Sequence, residues 1–125
     1  MLKQFVNGKI HRLRVTALQP NYNGSCLIDP SLMEAAGIDP FEKVEIYSLK
    51  TKARISTYVF PGGKTGEFKL NGGAALHFSD GDEVVVVSYR LEEEFTGAHC
   101  VVVDPTNNTI AEVIRYESRP IHLAS

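Results

Sequence analysis

Turn-forming residues interrupt this 125-residue sequence at short intervals, and this pattern constrains the fold more than any other feature. Glycine, proline, asparagine and aspartate favour tight turns because each sets or tolerates backbone angles that other residues avoid. Segments of this length accommodate short strands and leave little room for helices, so a small β-barrel or β-sandwich is favoured. The turn signals are Pro20-Asn21, Asn23-Gly24, Pro61-Gly62-Gly63, Asn71-Gly72-Gly73, Gly81-Asp82 and Pro105-Thr106-Asn107-Asn108.

The segments between these turns have the composition of strands. Residues 84 to 87 are four consecutive valines, which is typical of a strand buried on both faces. Residues 53 to 60 are rich in β-branched and aromatic side chains. The sequence therefore predicts strands over residues 10–17, 43–49, 53–60, 67–70, 83–89, 100–103 and 109–114.

One short helix is predicted after residue 29. Asp29 can cap its first turn, Pro30 fits the first helical position, and Gly37 can end it. The last residues, from Tyr116 on, are expected to form a loosely held tail because they are charged and contain Pro120.

Length and composition predict one soluble domain spanning residues 1–125. The net charge of −2 offers no basic surplus for nucleic acid or an anionic membrane surface. No apolar run approaches the ~20 residues of a membrane helix, and the N-terminus lacks the apolar core of a secretory signal. A cytoplasmic location is expected. The two cysteines, Cys26 and Cys100, are expected to be buried free thiols.

Two apparent motifs do not predict a ligand site. Gly63-Lys64-Thr65 resembles the end of a phosphate-binding loop, but Tyr58 stands where that loop needs its first glycine. A hairpin turn is the preferred interpretation. His99-Cys100 has no second pair of ligands at metal-binding spacing, so no metal site is predicted.

Three polar segments are more informative together than separately. Taken alone, Asn23-Gly24 predicts a hairpin turn followed by an ordinary serine. Strand periodicity places Lys9 and His11 on one face of the first strand, and Arg54 and Tyr58 on one face of a later strand. A solvated or structural role would explain each residue individually. Such roles do not explain why all of them occur together with a Gly-Ser pair.

This set of residues resembles the bacterial pyruvoyl-dependent aspartate 1-decarboxylases. The resemblance covers roughly the first 90 residues, in the order and at nearly the spacing of that family. Its motifs are Gly8-Lys9-Ile10-His11-Arg12, Val15-Thr16, Tyr22, Gly24-Ser25, Ile28-Asp29, Ala35-Ala36-Gly37, Arg54, Ser56-Thr57-Tyr58, Asn71-Gly72 with Ala74-Ala75, and Gly81-Asp82.

The resemblance implies an all-β fold, a double-psi β-barrel with one or two short helices, assembled as a homotetramer with active sites between subunits. It also implies self-cleavage between Gly24 and Ser25, giving chains 1–24 and 25–125. The Ser25 hydroxyl would attack the preceding carbonyl, which needs a strained turn that Gly24 permits. Elimination and hydrolysis would then release ammonia and leave a covalent pyruvoyl group derived from Ser25. Whether cleavage needs a maturation factor stays open.

The implied reaction converts L-aspartate to β-alanine and CO2 through an imine with the pyruvoyl group, supplying pantothenate biosynthesis. By resemblance, Arg54 and Lys9 bind substrate carboxylates, and Tyr58 is the candidate for returning a proton to the carbanion. Thr57 assists self-cleavage and contacts substrate, with His11 in support. The remaining implied pocket residues are Tyr22, Asn71, Gly72, Gly73, Ala74 and Ala75.

The sequence departs from the family pattern at three places. Gly73 replaces a usual alanine, which adds backbone freedom beside the cofactor. Lys50-Thr51-Lys52 is unusual before Ala53, and residues 92–125 match nothing residue by residue. Two alternatives therefore stay open. One is the same chemistry on another acidic amino acid, and the other is an uncleaved barrel that acts as a binding or regulatory subunit.

Overall fold

The structure is a computed structural model, and it describes residues 1–117. Strands dominate this part of the chain, with two short helical segments, which confirms the mainly-β expectation. The elements are β1 Lys3–Arg14, β2 Ala17–Gln19, β3 Ser25–Ile28, α1 Pro30–Ala36, β4 Lys43–Ser48, β5 Arg54–Pro61, β6 Phe68–Asn71, a 3₁₀ helix Gly72–His77, β7 Glu83–Glu92, β8 Ala98–Asp104 and β9 Thr109–Tyr116.

These strands form one mixed sheet in the order β2-β6-β3-β5-β4-β7-β1-β8-β9. Antiparallel pairing joins β5 with β4, β4 with β7, and β7 with β1. Parallel pairing joins β1 with β8 and β3 with β5. Parallel pairs need crossover connections, so strands distant in sequence become neighbours. This crossed topology brings β3, β5 and β6 together, although they come from separate parts of the chain.

The first strand differs most from its prediction. It runs from Lys3 to Arg14 rather than over 10–17, and it is paired on both sides, with β7 and β8. Register shifts at Val6/Gly8 and His11/Leu13 interrupt its pairing with β7. Such irregularities locally break the period-two pattern from which strand boundaries are read.

The predicted helix is confirmed, with its caps. The Asp29 carboxylate accepts hydrogen bonds from the Ser31 backbone N–H and hydroxyl, each at 2.9 Å. Pro30 occupies the first turn, and Gly37 ends the helix in the left-handed conformation at φ 72°. The second Asp29 oxygen accepts from the Gly66 backbone N–H at 2.7 Å, which ties the helix to the loop before β6.

The core lies between the sheet and the helix. All four valines of residues 84–87 are buried, as predicted. Val84 and Val86 pack in one hydrophobic cluster with Leu32 and Met33 of the helix. Cys26 and Cys100 are buried free thiols, which was also expected.

Two turn assignments and the tail need correction. Gly63-Lys64-Thr65 is not a hairpin turn, because β3 lies between β5 and β6, the strands it connects. Asn23-Gly24 is not a hairpin turn either, because β2 and β3 both pair with β6 and not with each other. Tyr116, the expected start of the tail, is the last residue of β9. The rest of that predicted tail, beyond residue 117, lies outside the described residues.

Candidate functional site

Ser25 is the first residue of β3 and has an unusual backbone conformation. Its φ is 153°, a region that favours glycine, and only 2% of its surface is exposed. Gly24 has no positive φ, and a Cβ there would meet nothing within 4 Å. The constrained residue is therefore the serine, although we expected the special backbone angles at the glycine. Strain of this kind costs about 1–3 kcal/mol and occurs preferentially at functional sites.

Gly72 packs directly against the backbone of the segment that precedes Ser25. A Cβ built on Gly72 would lie 2.7 Å from the Gly24 Cα, 2.8 Å from the Gly24 nitrogen and 2.9 Å from the Tyr22 carbonyl oxygen. Gly72 also has a positive φ of 59°. Only glycine combines this backbone conformation with so close an approach, so Gly72 fixes the position of the segment before Ser25.

Asn71 lies directly opposite Ser25 in the antiparallel pairing of β3 with β6. Its side chain is buried, and within residues 1–117 no donor reaches its Oδ1. An unpaired buried acceptor costs about 1–3 kcal/mol. Asn71 thus places an unused hydrogen-bond acceptor beside the serine.

Ser25 and Asn71 open onto a surface cavity of about 650 Å³. Tyr58 reaches this cavity from β5, because the parallel pairing of Cys26 with Val59 sets Tyr58 next to Ser25. The Tyr58 ring packs edge-on against Phe60, with centroids 5.6 Å apart. The lining residues are Tyr22, Asn23, Gly24, Ser25, Leu27, Tyr58, Phe60, Pro61 and Asn71.

A second cluster contains the predicted cations. Lys9 and His11 lie on one face of β1, as their spacing predicted, and they line a separate cavity of about 450 Å³ with Tyr47, Tyr89 and Tyr116 among others. Cations and aromatic rings thus lie together across the middle of the sheet.

Arg54 belongs to this second cluster through Tyr47. Its guanidinium lies 4.4 Å from the centroid of the Tyr47 ring, close enough for a cation–π interaction. The Tyr47 and Tyr89 hydroxyls are 3.1 Å apart. Burial, and then the hydrogen bond to Tyr89, raise the pKa of Tyr47 to about 12, so its hydroxyl stays protonated. Arg54 is therefore held against a neutral aromatic platform.

Within one chain the two clusters are separate. Arg54 and Tyr58 share a face of β5 but are four residues apart, or about 13 Å along an extended strand. Lys9 lies on β1, which β7 and β4 separate from β5, so about 14 Å lies between those strands. The structure thus joins Tyr22, Gly24, Tyr58 and Asn71 with Ser25, and leaves the cations Lys9 and Arg54 with His11 elsewhere.

Besides Lys9, His11 and Arg54, five predicted residues do not line the Ser25 cavity. One is Gly72, which packs against the segment before Ser25. Thr57 alternates with Tyr58 along β5, so it points to the opposite face. Gly73 is exposed, and a Cβ there would contact nothing within 4 Å. Ala74 and Ala75 pack against the hydrophobic core. Their assignment to the site stays a prediction.

Several residues of both clusters were missed from the sequence. Leu27 and Phe60 line the Ser25 cavity, and Tyr47, Tyr89 and Tyr116 line the cavity of Lys9 and His11. A period-two count from Ser25 or Tyr58 would have found Leu27 and Phe60. The three tyrosines lie on strands whose adjacency no local pattern reveals.

Two further observations concern other kinds of site. In the described part of the chain, no group of three or more histidine, cysteine, aspartate or glutamate side chains could hold a metal ion. No helix within residues 1–117 has the length and apolar character needed to cross a membrane.

Comparison with known proteins identifies the family. The aspartate decarboxylase family profile matches residues 1–110. The aspartate 1-decarboxylase of Clostridium beijerinckii is 43% identical over 122 residues, covering 94% of this chain and 98% of that protein. The aspartate 1-decarboxylase of Hydrogenobaculum sp. is 44% identical, covering 92% of this chain and 94% of its own. That of Geobacillus sp. is 40% identical, with 98% of both chains covered. A family match over most of the chain and relatives of this identity and coverage show that the chain belongs to the aspartate decarboxylase family.

Proposed function

We propose that this chain is an enzyme that converts L-aspartate to β-alanine and CO2, using a pyruvoyl group made from its own Ser25. The whole chain would form one double-psi β-barrel domain that cleaves itself into residues 1–24 and 25–125. It would act in the cytoplasm and supply β-alanine for pantothenate biosynthesis. The observation that carries the proposal is the buried, positive-φ Ser25 at the base of a cavity.

The surroundings of Ser25 fit a covalent group built from that residue. The serine lies at the start of β3, so cleavage before it would leave the new chain end inside the cavity. The unpaired Asn71 Oδ1 offers an acceptor beside this end. A pyruvoyl group would supply an electron sink when the substrate α-carboxylate departs as CO2.

The local geometry supports the proposed self-cleavage. The Ser25 hydroxyl would attack the Gly24 carbonyl carbon, and the amide would become an ester as the Ser25 nitrogen is released. Loss of the Gly24 carboxylate by β-elimination, then hydrolysis with release of ammonia, completes the change. Relief of the strain at Ser25 would favour this conversion, and close packing of Gly72 against Gly24 and Tyr22 would hold the segment before Ser25 in place.

The separation of the two clusters supports active sites between subunits. Lys9, His11 and Arg54 can serve the Ser25 cavity only if a neighbouring subunit presents them, because within one chain they line another part of the sheet. The cavity that holds Lys9 and His11 is lined by Val85 and Val87, and apolar lining of this kind suits a protein interface. We therefore propose a homotetramer in which each site combines residues of two subunits.

In such a site each chemical task has a candidate residue. Arg54 offers a planar guanidinium for a carboxylate of aspartate, and Lys9 offers a second positive charge. Tyr58 lies beside Ser25, is 43% exposed and lines the cavity, where its hydroxyl could return a proton to the substrate carbon. Tyr22, Asn71 and Gly72 would shape the cavity around the substrate.

Intact mass spectrometry of the purified protein under denaturing conditions tests the proposal first. We expect two species, residues 1–24 and residues 25–125 with a pyruvoyl first residue. A Ser25→Ala variant, which lacks the nucleophile, should give one mass. A single wild-type mass that persists after incubation, both alone and with lysate that could supply a maturation factor, would contradict self-cleavage and support a non-enzymatic barrel.

Substrate identity needs a separate assay. We expect cleaved protein to release CO2 from L-aspartate faster than from L-glutamate or other acidic amino acids. Preference for another substrate would retain the chemistry and reject aspartate. Gly73, which motivated that alternative, does not line the cavity.

Sharing of the site between subunits can be tested by complementation. Lys9→Met and Ser25→Ala should each abolish activity alone. Mixed tetramers from co-expression should regain activity, because one subunit supplies the pyruvoyl group and its neighbour supplies Lys9. Light scattering should give four times the chain mass. Inactive mixed tetramers would place the complete site within one chain.

A further inference from the structure

Lys69 lies on the same face of the sheet as Ser25. In the antiparallel pairing of β3 with β6, Ser25 is opposite Asn71 and Leu27 is opposite Lys69. Side chains directly opposite one another point to the same face, as do residues two apart along a strand. Since Ser25, Leu27 and Asn71 all line the cavity, Lys69 projects from the same face, one residue pair farther along.

The Lys69 ammonium lies near this cavity. It lies 5.7 Å from the centroid of the Tyr22 ring, within cation–π distance, and Tyr22 is a lining residue. Among residues 1–117 the salt bridges do not include Lys69, so no protein carboxylate neutralises its charge there. Strand geometry puts the Lys69 and Ser25 Cα atoms about 8 Å apart, a distance that an extended lysine side chain can largely span.

No cation of the described residues lines the cavity itself. Its lining residues are aromatic, aliphatic, amide or hydroxyl groups, and none among the described residues is a cation. The cations proposed above, Lys9 and Arg54, lie in the other cluster. A dicarboxylic substrate attached at Ser25 would therefore meet Lys69 before any other cation of the same subunit.

We infer that Lys69 binds a carboxylate of the dicarboxylic substrate from the Ser25 side of the site and sets the affinity for that substrate. This inference rests on the proposed function. A lysine suits the task because its compact charge attracts a carboxylate without fixing its orientation. The contact with the Tyr22 ring keeps the ammonium near the cavity in the absence of substrate.

The test compares Lys69→Met, which keeps the aliphatic stem and removes the charge, with Lys64→Met. Lys64 is an exposed lysine in the loop between β5 and β6, so it controls for loss of one positive charge. Two quantities are measured on fully cleaved protein: the kinetic constants for aspartate, and the Kd of succinate by titration calorimetry. Succinate carries both carboxylates but has no amine and cannot react.

In Lys69→Met we expect the KM for aspartate and the Kd for succinate to rise about tenfold, as for loss of one charge-assisted hydrogen bond. The value of kcat should change less than twofold. Lys69→Arg should restore most of the affinity, and Lys64→Met should match the wild type.

An unchanged succinate Kd in Lys69→Met would overturn the inference. So would an equal rise in Lys64→Met, or an effect confined to the rate of self-cleavage, which would make Lys69 a maturation residue. Failure of the proposed function would look different, because wild-type protein would then release no CO2 from aspartate. The succinate titration would still report on Lys69.

Discussion

Substitution of Gly72 by alanine should disturb the peptide that the proposed cleavage breaks. The added Cβ would lie 2.7 Å from the Gly24 Cα and 2.8 Å from the Gly24 nitrogen, distances that real Cβ atoms essentially never show. Both neighbours are backbone atoms, so neither can move aside by rotating a side chain. The strand or the turn before Ser25 must shift.

The expected change in the free energy of unfolding combines two destabilising effects and one stabilising effect. Alanine in the left-handed region, where Gly72 has φ 59°, costs about 1–2 kcal/mol. Overpacking against a fixed backbone costs about 1–3 kcal/mol. The less flexible unfolded chain returns about 0.4–1 kcal/mol. Gly72→Ala should therefore lower the free energy of unfolding by roughly 1–5 kcal/mol, and it should slow self-cleavage because the segment before Ser25 is displaced.

Gly73→Ala is the matched control. Its Cβ would enter open space, and its φ is not positive, so only the unfolded-state effect remains, a gain of about 0.4–1 kcal/mol. Stability is measured by urea unfolding in a Ser25→Ala background, where the chain stays intact. Cleavage is followed by mass spectrometry with Ser25 present. If Gly72→Ala cleaves at the wild-type rate and unfolds within 0.5 kcal/mol of Gly73→Ala, the proposed packing against Gly24 is wrong.

Three further outcomes follow from the structure. Burial raises the pKa of Asp29, but hydrogen bonds from backbone N–H groups and a serine hydroxyl outweigh it, so the net shift is downward. Its contribution to stability is therefore present above its unfolded pKa of about 3.9 and is lost as pH falls through the lower folded value. Asp29→Ala should lower the free energy of unfolding by about 1–3 kcal/mol at pH 7. It should also make that free energy, measured by urea unfolding, depend less on pH in the acid range. Substitution of the exposed Asp39 by alanine should have neither effect. Neither Ser25→Gly nor Ser25→Ala can cleave, so both chains stay intact. The free energy of unfolding should be about 1 kcal/mol higher for Ser25→Gly, since glycine tolerates φ 153°. Equal midpoints of urea unfolding would show that Ser25 is unstrained. Burial raises the pKa of the Cys26 thiol to about 12, so iodoacetamide at pH 8 should leave it unmodified in the folded protein, and rapid alkylation detected by mass spectrometry would refute its burial.

Local signals predicted the elements that depend on local physics. The four valines at 84–87 gave a buried strand, and Asp29, Pro30 and Gly37 gave a capped helix, because capping and alternation act within a few residues. The β3 strand was missed because it has only four residues and follows Asn23-Gly24, a strong hairpin signal. Its existence depends on pairing with β5 and β6, which come much later in the chain.

The candidate site was predicted only in part, because its assembly also depends on pairing between strands that are distant in sequence. Resemblance named Ser25, Tyr58 and Asn71, which the structure brings together around one cavity. The separation of Lys9 and Arg54 from that cavity depends on strand order, which a linear motif does not encode. Lys69 could have been predicted from the sequence, because alternation along the strand from Asn71 places it on the same face.

The position of β1 bears on the order of folding and cleavage, and on whether the cleaved protein can refold. This strand lies between β7 and β8 and buries Ile10 and Leu13, yet the proposed cut assigns it to the shorter of two chains. The proposed cleavage would therefore have to come after folding, since β7 and β8 both pair with this strand. After such a cleavage no peptide bond would retain that strand, and unfolding would become dissociation, with a midpoint that depends on protein concentration. To refold, the two chains of a denatured, cleaved molecule would have to meet by diffusion. Cleavage would therefore convert reversible unfolding into largely irreversible unfolding.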